Sequence, residues 1–249
     1  MVPRSVNLGG TGLSDVDPTI REYAGLRELY LHENRLTALP EWLGELTELR
    51  ILDLSHQPLK SIPDSLGRLK QLEFLYASDL DLTELPESLG DLSSLIYLGA
   101  TDNGLTSVPA SLGRLGQLVE LRLYGNRLTE LPDAYGDLRT LRELHLDRNA
   151  IERLPATFDQ LTELRVVSLR SNAVTEFPVQ LSRLPLLRHL DLRANRLTRL
   201  PDLPPNAFPA LEKLDLRWLD LPVVPEWVHT LAHRGCAIYR TAASPSGDA

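Results

Sequence analysis

Leu26-Arg27-Glu28-Leu29-Tyr30-Leu31-His32-Glu33-Asn34-Arg35-Leu36-Thr37-Ala38-Leu39-Pro40 decides the fold, because the same frame restarts at Leu49, Leu72, Leu95, Leu118, Leu141, Leu164 and Leu187. The spacing is 23 residues each time, and a ninth copy begins one residue late at Leu211, after an insertion near Pro204 and Pro205. Upstream, Val6, Leu8, Thr11, Leu13, Val16 and Ile20 fall in the same frame, so residues 1–25 read as an N-terminal cap and degenerate repeat. Residues 26–233 then hold nine repeats.

Local physics agrees with the period. In Leu29-Tyr30-Leu31 the apolar residues alternate, as in a short strand with one face inward. The recurring proline (Pro40, Pro63, Pro86, Pro109, Pro132, Pro155, Pro178, Pro201, Pro225) cannot donate to a ladder and ends any strand. Segments such as Trp42-Leu43-Gly44-Glu45-Leu46 place apolar residues three apart, as a helical or 3-10 turn does. One unit cannot bury its own leucines; stacked units share a continuous core, with a parallel sheet along the inner curve.

The pattern L-x-x-L-x-L-x-x-N-x-L-x-x-L-P resembles the leucine-rich-repeat family, in the LP-containing form of bacterial intracellular proteins, over roughly residues 6–233. The resemblance implies an α/β solenoid, an arc with its parallel sheet on the concave face and short helical or 3-10 turns on the convex side. It also implies protein recognition along the concave face, and a ladder of inward asparagines formed by Asn34, Asn103, Asn126, Asn149, Asn172 and Asn195. An amide carries donors and an acceptor, so each can satisfy backbone groups where a strand turns away. Gln57 keeps the amide, whereas Leu80 and Leu219 lose it, which predicts irregular turns at those two units. Residues 234–240 read as a capping segment behind a helix at Glu226–His233, with Gly235 as stop, Cys236–Tyr239 as last strand and Thr241–Ala249 as a disordered tail.

Composition narrows the function classes. No 20-residue apolar run and no N-terminal h-region is visible, which argues against a membrane span or a secretory signal. The lone Cys236 excludes an intrachain disulfide framework and fits a reducing, cytoplasmic setting. A net charge of −8 argues against nucleic-acid or anionic-membrane binding through the whole surface, and a monomer is expected. The chain has no phosphate loop, dinucleotide fingerprint or G-x-S-x-G elbow, so neither enzyme activity nor a cofactor is expected. His229, His233 and Cys236 come nearest to a metal site, yet they read more simply as a solvated terminal helix with histidines near its C-terminal end. No metal is expected.

The informative residues are those the repeat does not dictate. Strand positions flanking the inward leucines form a grid with neighbouring strands ~4.8 Å apart. Its first column runs Glu28, Ile51, Phe74, Tyr97, Glu120, Glu143, Val166, His189, Lys213; its second Tyr30, Asp53, Tyr76, Gly99, Arg122, His145, Ser168, Asp191, Asp215; its third His32, Ser55, Ser78, Thr101, Tyr124, Asp147, Arg170, Arg193, Arg217. Tyr30, Phe74, Tyr76, Tyr97 and Tyr124 concentrate here, as interface hot spots do, although tyrosine also simply favours strands. Gly99 leaves a dent between Tyr76 and Arg122, walled by Tyr97 and Thr101, which is either a pocket or relief of crowding. Arg170, Arg193 and Arg217 form a basic row that either grips an anion or is neutralised by the interleaved Asp147, Asp191 and Asp215.

The expected function is a non-enzymatic protein- or peptide-binding scaffold. Its partner-binding residues are Tyr30, Phe74, Tyr76, Tyr97, Gly99, Thr101, Arg122, Tyr124, His145, Asp147, Arg170 and Arg193. The alternative is a small-molecule or catalytic site in the dent around Gly99, Arg122 and His145, where His145 has Asp147, Arg122, Glu120 and Tyr124 as grid neighbours, enough for a general acid–base pair. A targeting fragment of a bacterial effector is a third reading.

Overall fold

A computed structural model describes residues 3–23 and 25–241. Eleven short strands form one parallel sheet in strict chain order: β1 (Ser5–Asn7), β2 (Glu28–Tyr30), β3 (Ile51–Asp53), β4 (Phe74–Tyr76), β5 (Tyr97–Gly99), β6 (Glu120–Arg122), β7 (Glu143–His145), β8 (Val166–Ser168), β9 (His189–Asp191), β10 (Lys213–Leu216) and β11 (Ala237–Arg240). The degenerate first unit is a full participant, since Val6 pairs with Leu29 in the same register as the others. The shifted ninth copy pairs Lys213 with His189 and Asp215 with Asp191, so the inserted residue is absorbed before the strand.

Consecutive strands return through eight five-residue 3-10 turns on the convex side, from Pro18–Glu22 to Val179–Arg183. Pro40, Pro63, Pro86, Pro109, Pro132, Pro155 and Pro178 stand immediately before seven of them. These prolines lie well past the strands, so their role is to open the convex turn: the Pro40 carbonyl, for example, accepts from Leu43 N at 3.1 Å. Between the layers the leucines form one continuous buried core.

Glycine at the fourth position of these turns has a packing cause. A Cβ on Gly44 would lie 2.2 Å from the Ser65 carbonyl oxygen, and one on Gly90 would lie 2.3 Å from that of Ser111. Each turn therefore seats against the backbone of the next, and the contact recurs at Gly67, Gly113 and Gly136. It stops where Asp159 and Ser182 take the glycine place. Beyond them the insertion replaces a 3-10 turn, and Phe177, Phe208 and Trp227 fill the gap with ring centroids 5.5–6.0 Å apart.

The amide ladder forms as the resemblance implies. Asn126 donates to the Ala100 and Leu123 carbonyls, both at 2.9 Å, and accepts from Leu105 N at 3.1 Å. Asn34, Asn149, Asn172 and Asn195 bond likewise, and Gln57 reaches Leu31 O, Leu54 O and Leu36 N with its longer chain. Where Leu80 interrupts the ladder, Leu59 N turns to Gln57 O at 2.8 Å. The residue before each ladder position is left-handed, with φ between 52° and 70° at Glu33, His56, Asp79, Asp102, Gly125, Arg148, Ser171, Ala194 and Trp218. Only one of these nine is glycine, although each L-residue there costs roughly 1 kcal/mol.

At the C-terminus, α1 spans Glu226–His233 as read. The last strand, however, is Ala237–Arg240 and excludes Cys236, which is buried beneath it with its N–H bonded to Leu231 O. Thr241 is bonded too, its Oγ1 accepting from Trp218 N. The rest of the expected tail, residues 242–249, lies outside the described residues.

Candidate functional site

The grid exists as columns. Register pairs Phe74 with Tyr97, Tyr97 with Glu120 and Glu120 with Glu143 in the first column. It pairs Tyr30, Asp53, Tyr76, Gly99, Arg122, His145, Ser168 and Asp191 in succession in the second. An in-register parallel sheet aligns side chains of one column without any choice by the side chains themselves.

The aromatic residues gather around Tyr97. Its ring lies 4.9 Å from that of Tyr76 and 6.5 Å from that of Phe74, and the Arg122 guanidinium stands 5.8 Å from its centroid. Burial, opposed in part by Arg122, raises the Tyr97 phenol above its ordinary value. Tyr30 stands apart, edge-on to His32, and burial and the adjacent Glu28 raise its phenol. The expected dent at Gly99 is not open: a Cβ there would meet the Tyr97 hydroxyl at 2.7 Å and its ring at 3.0 Å. Tyr97, two residues back on the same strand, leans over the glycine and occupies its space. Gly99 and Thr101 are both buried, so of the twelve expected contact residues these two offer no exposed side chain.

Of the grid neighbours expected around His145, Asp147 does not pair with it. His145 Nε2 bonds Glu143 Oε2 at 3.1 Å, while Asp147 accepts from the Ser168 hydroxyl at 2.6 Å. Same-face neighbours two apart on one strand meet more readily than residues past the strand end. Glu120, Glu143 and His145 bring ligand atoms within 4.8 Å of one another, the one such trio among the described residues. Arg122 already engages Glu120, and His229, His233 and Cys236 are not gathered. An open depression lies three strands further on, about 190 Å³ over Val166 and Ser168, between His145 and His189.

The basic row is largely neutralised. Arg193 meets Asp191 at 2.8 Å, and Arg217 holds Asp215 through two bonds of 2.9 and 2.6 Å. The Asp215 side chain is fully buried. Burial pushes its carboxyl up, but the Arg217 donors and the Arg193 charge outweigh this and hold it below the ordinary range. Burial dominates at Asp191, whose carboxyl is raised. Arg170 stands exposed and, among the described residues, makes no ion pair.

Sequence reasoning missed the fourth column, the left-handed position beyond the strand. There Arg148 meets Asp102 at 2.7 Å. There also Trp218 stands 58% exposed over the Arg193 and Arg217 guanidinium groups, 6.0 and 5.7 Å away. Tyr239 of β11, 43% exposed, flanks Arg217 from the other side at 5.4 Å. Continuing the grid by one position would have brought Trp218 into view.

Comparison with known proteins fits this geometry. The family described as "Leucine-rich repeat region" matches residues 18–122, and that described as "Leucine rich repeat" matches residues 139–197. The chain is a leucine-rich-repeat protein. No curated protein matches it in sequence. Among solved structures, it is similar to the Leptospira interrogans leucine-rich-repeat protein LIC12759, at 27% identity and TM-score 0.83, covering 96% of this chain and 65% of that one. It is similar as well to the ectodomain of the plant membrane receptor kinase GASSHO1/SCHENGEN3 from Arabidopsis thaliana, solved in complex with CASPARIAN STRIP INTEGRITY FACTOR 2, at 31% identity and TM-score 0.80. A third is PEPR1, solved with AtPEP1, at 30% identity and TM-score 0.80. The match covers 95% of this leucine-rich-repeat protein in both of these cases but only 29% and 35% of the other chains. The fold commonly serves protein and peptide binding and is typically a non-catalytic scaffold. No helix among the described residues is long and apolar enough to cross a membrane.

Proposed function

We propose that this protein is a non-enzymatic scaffold that binds a protein or peptide partner through its concave face. One observation carries the reading: the in-register sheet holds Phe74, Tyr76, Tyr97 and Arg122 on its strands, with Tyr124 just past the end of β6, at positions that core packing leaves free. Aromatic rings and arginine on a fixed surface lose little conformational entropy on binding and form most interface hot spots. The contact surface extends to Tyr30, His145, Asp147, Arg170 and Arg193. GASSHO1/SCHENGEN3, solved in complex with CASPARIAN STRIP INTEGRITY FACTOR 2, and PEPR1, solved with AtPEP1, support the same use of the fold.

The test is site-specific photo-crosslinking in native cell extract. A photoreactive residue replaces Tyr76 or Ser168 on the concave face, or Asp91 or Asp137 on the convex side. Crosslinks to one discrete partner from the concave positions alone are expected. Crosslinks from the convex positions alone would overturn the reading.

A further inference from the structure

Charge divides unevenly along the solenoid. Residues 1–164 carry 15 Lys and Arg against 26 Asp and Glu, whereas residues 165–241 carry 11 against 7. The acidic chain thus ends in a basic segment. Within that segment the two carboxylates nearest the concave lip are already committed: Asp215 is buried against Arg217, and Asp191 is bonded to Arg193. Arg170, Lys213 and Arg196 have no ion pair among the described residues, so this segment keeps a net positive field.

The same end carries most of the large exposed hydrophobic side chains among the described residues. Of four large, exposed hydrophobic residues among those described, Trp218, Val223 and Tyr239 lie within β10–β11 and their link. Trp218 and Tyr239 are not loose. Arg217 stands between them, 5.7 and 5.4 Å from the two ring centroids, and Asp215 fixes Arg217 from below through two hydrogen bonds. A buried anion thereby orients a cation, which orients two rings that remain half in water. Side chains fixed before binding cost little to immobilise, so a partner gains more from each contact. The Tyr97 cluster differs, because its rings already bury one another.

We propose that this end of the concave face, built around Trp218 and Tyr239, is the anchor site for an extended acidic segment of a protein partner. The segment lays one aromatic or proline ring against the two exposed rings and its carboxylates toward Arg170 and Lys213. The proposal rests on the concave-face reading above and names the chemistry of the partner. Basic charge selects the acidic segment, and the paired rings select the planar or pyrrolidine side chain within it.

The test is selection of short random peptides displayed against the whole chain. Recovered peptides are then titrated by fluorescence anisotropy against wild type, Trp218→Ala, the double variant Arg170→Glu with Lys213→Glu, and Tyr76→Ala. Recovered peptides should be acidic and carry an aromatic residue or proline. Their affinity should fall about tenfold or more in Trp218→Ala and in the double variant. It should also weaken with added salt, while the thermal midpoint of each variant stays at the wild-type value. Recovering no peptide, recovering peptides without acidic bias, or equal binding to Trp218→Ala would each overturn the anchor site. Peptides lost with Tyr76→Ala but kept by Trp218→Ala would remove the anchor and leave the concave-face reading standing. Two further arms check other occupants. Self-association in sedimentation that Trp218→Ala abolishes would assign the patch to a second copy of the chain, and tight binding of single-stranded DNA would assign it to nucleic acid; either result overturns the peptide proposal.

Discussion

Arg148 Nη2 meets Asp102 Oδ1 at 2.7 Å across the intervening repeat, directly over Gly125. In a solenoid almost every contact joins adjacent units, so an ion pair that skips one is an exception. It is possible because position 125 has no side chain. A Cβ there would lie 2.3 Å from Asp102 Oδ1 and 3.2 Å from Arg148 Nη2. Gly125 is also left-handed, at φ 70°.

Gly125→Ala should therefore cost about 1–2 kcal/mol in urea unfolding, from backbone strain together with the displaced ion pair. Arg148→Ala alone should cost no more than about 1 kcal/mol, as exposed pairs do. The double variant should lose less than the sum. Additive losses would show that Gly125 and the ion pair are unrelated.

On the convex side, Gly90→Ala should destabilise by about 1–3 kcal/mol, because the new methyl group meets the Ser111 backbone and no flexible side chain can yield. Gly116→Ala is the control, with nothing within 4 Å of its added Cβ. Equal thermal midpoints for both variants would disprove the packing role of the turn glycines.

Replacing Asn126 by Leu removes two donated bonds and one accepted bond in the core. A loss of about 2–4 kcal/mol is expected, since Leu105 N and two carbonyls lose buried partners. The natural leucine at 80 shows that the fold survives such a change, so the variant should remain folded with an unaltered circular dichroism spectrum.

Acid stability should depend on Asp215. Its folded carboxyl titrates below the ordinary 3.8, so the stability it adds is present above that value and disappears as the pH falls through the lowered one. Asp191 is raised, so its contribution has the opposite sign, present below 3.8 and fading as the pH rises. Asp215→Asn should thus lose about 1.5–3 kcal/mol near neutrality and less in acid, narrowing the gap to wild type. A gap that stayed constant from pH 7 to well below 3.8 would contradict this.

The backbone plan was legible because it depends only on period. The 23-residue frame, the inward leucines, the amide ladder and even the column register follow from spacing, and no side chain has to choose a rotamer. The site was legible only as far as columns go. Whether Tyr97 stands up or leans over Gly99, and whether His145 turns to Glu143 or Asp147, are rotamer decisions between neighbours of equal sequence distance. Trp218 escaped for another reason: it occupies the left-handed turn position, outside the alternation that defines a strand.

Leu80 carries a last consequence. Seven amides tie successive turns together; at Leu80, as at Leu219, the tie is missing, and the seam between the third and fourth strands is held by strand pairing, leucine contact and exposed pairs such as Arg50–Glu73 and His56–Asp79. In a linear array, unfolding travels from unit to unit, and a weak joint is where it halts or begins. The N-terminal units ahead of this seam should open as one block while the rest of the arc stays closed, so that a single chain behaves as two cooperative segments of unequal lifetime.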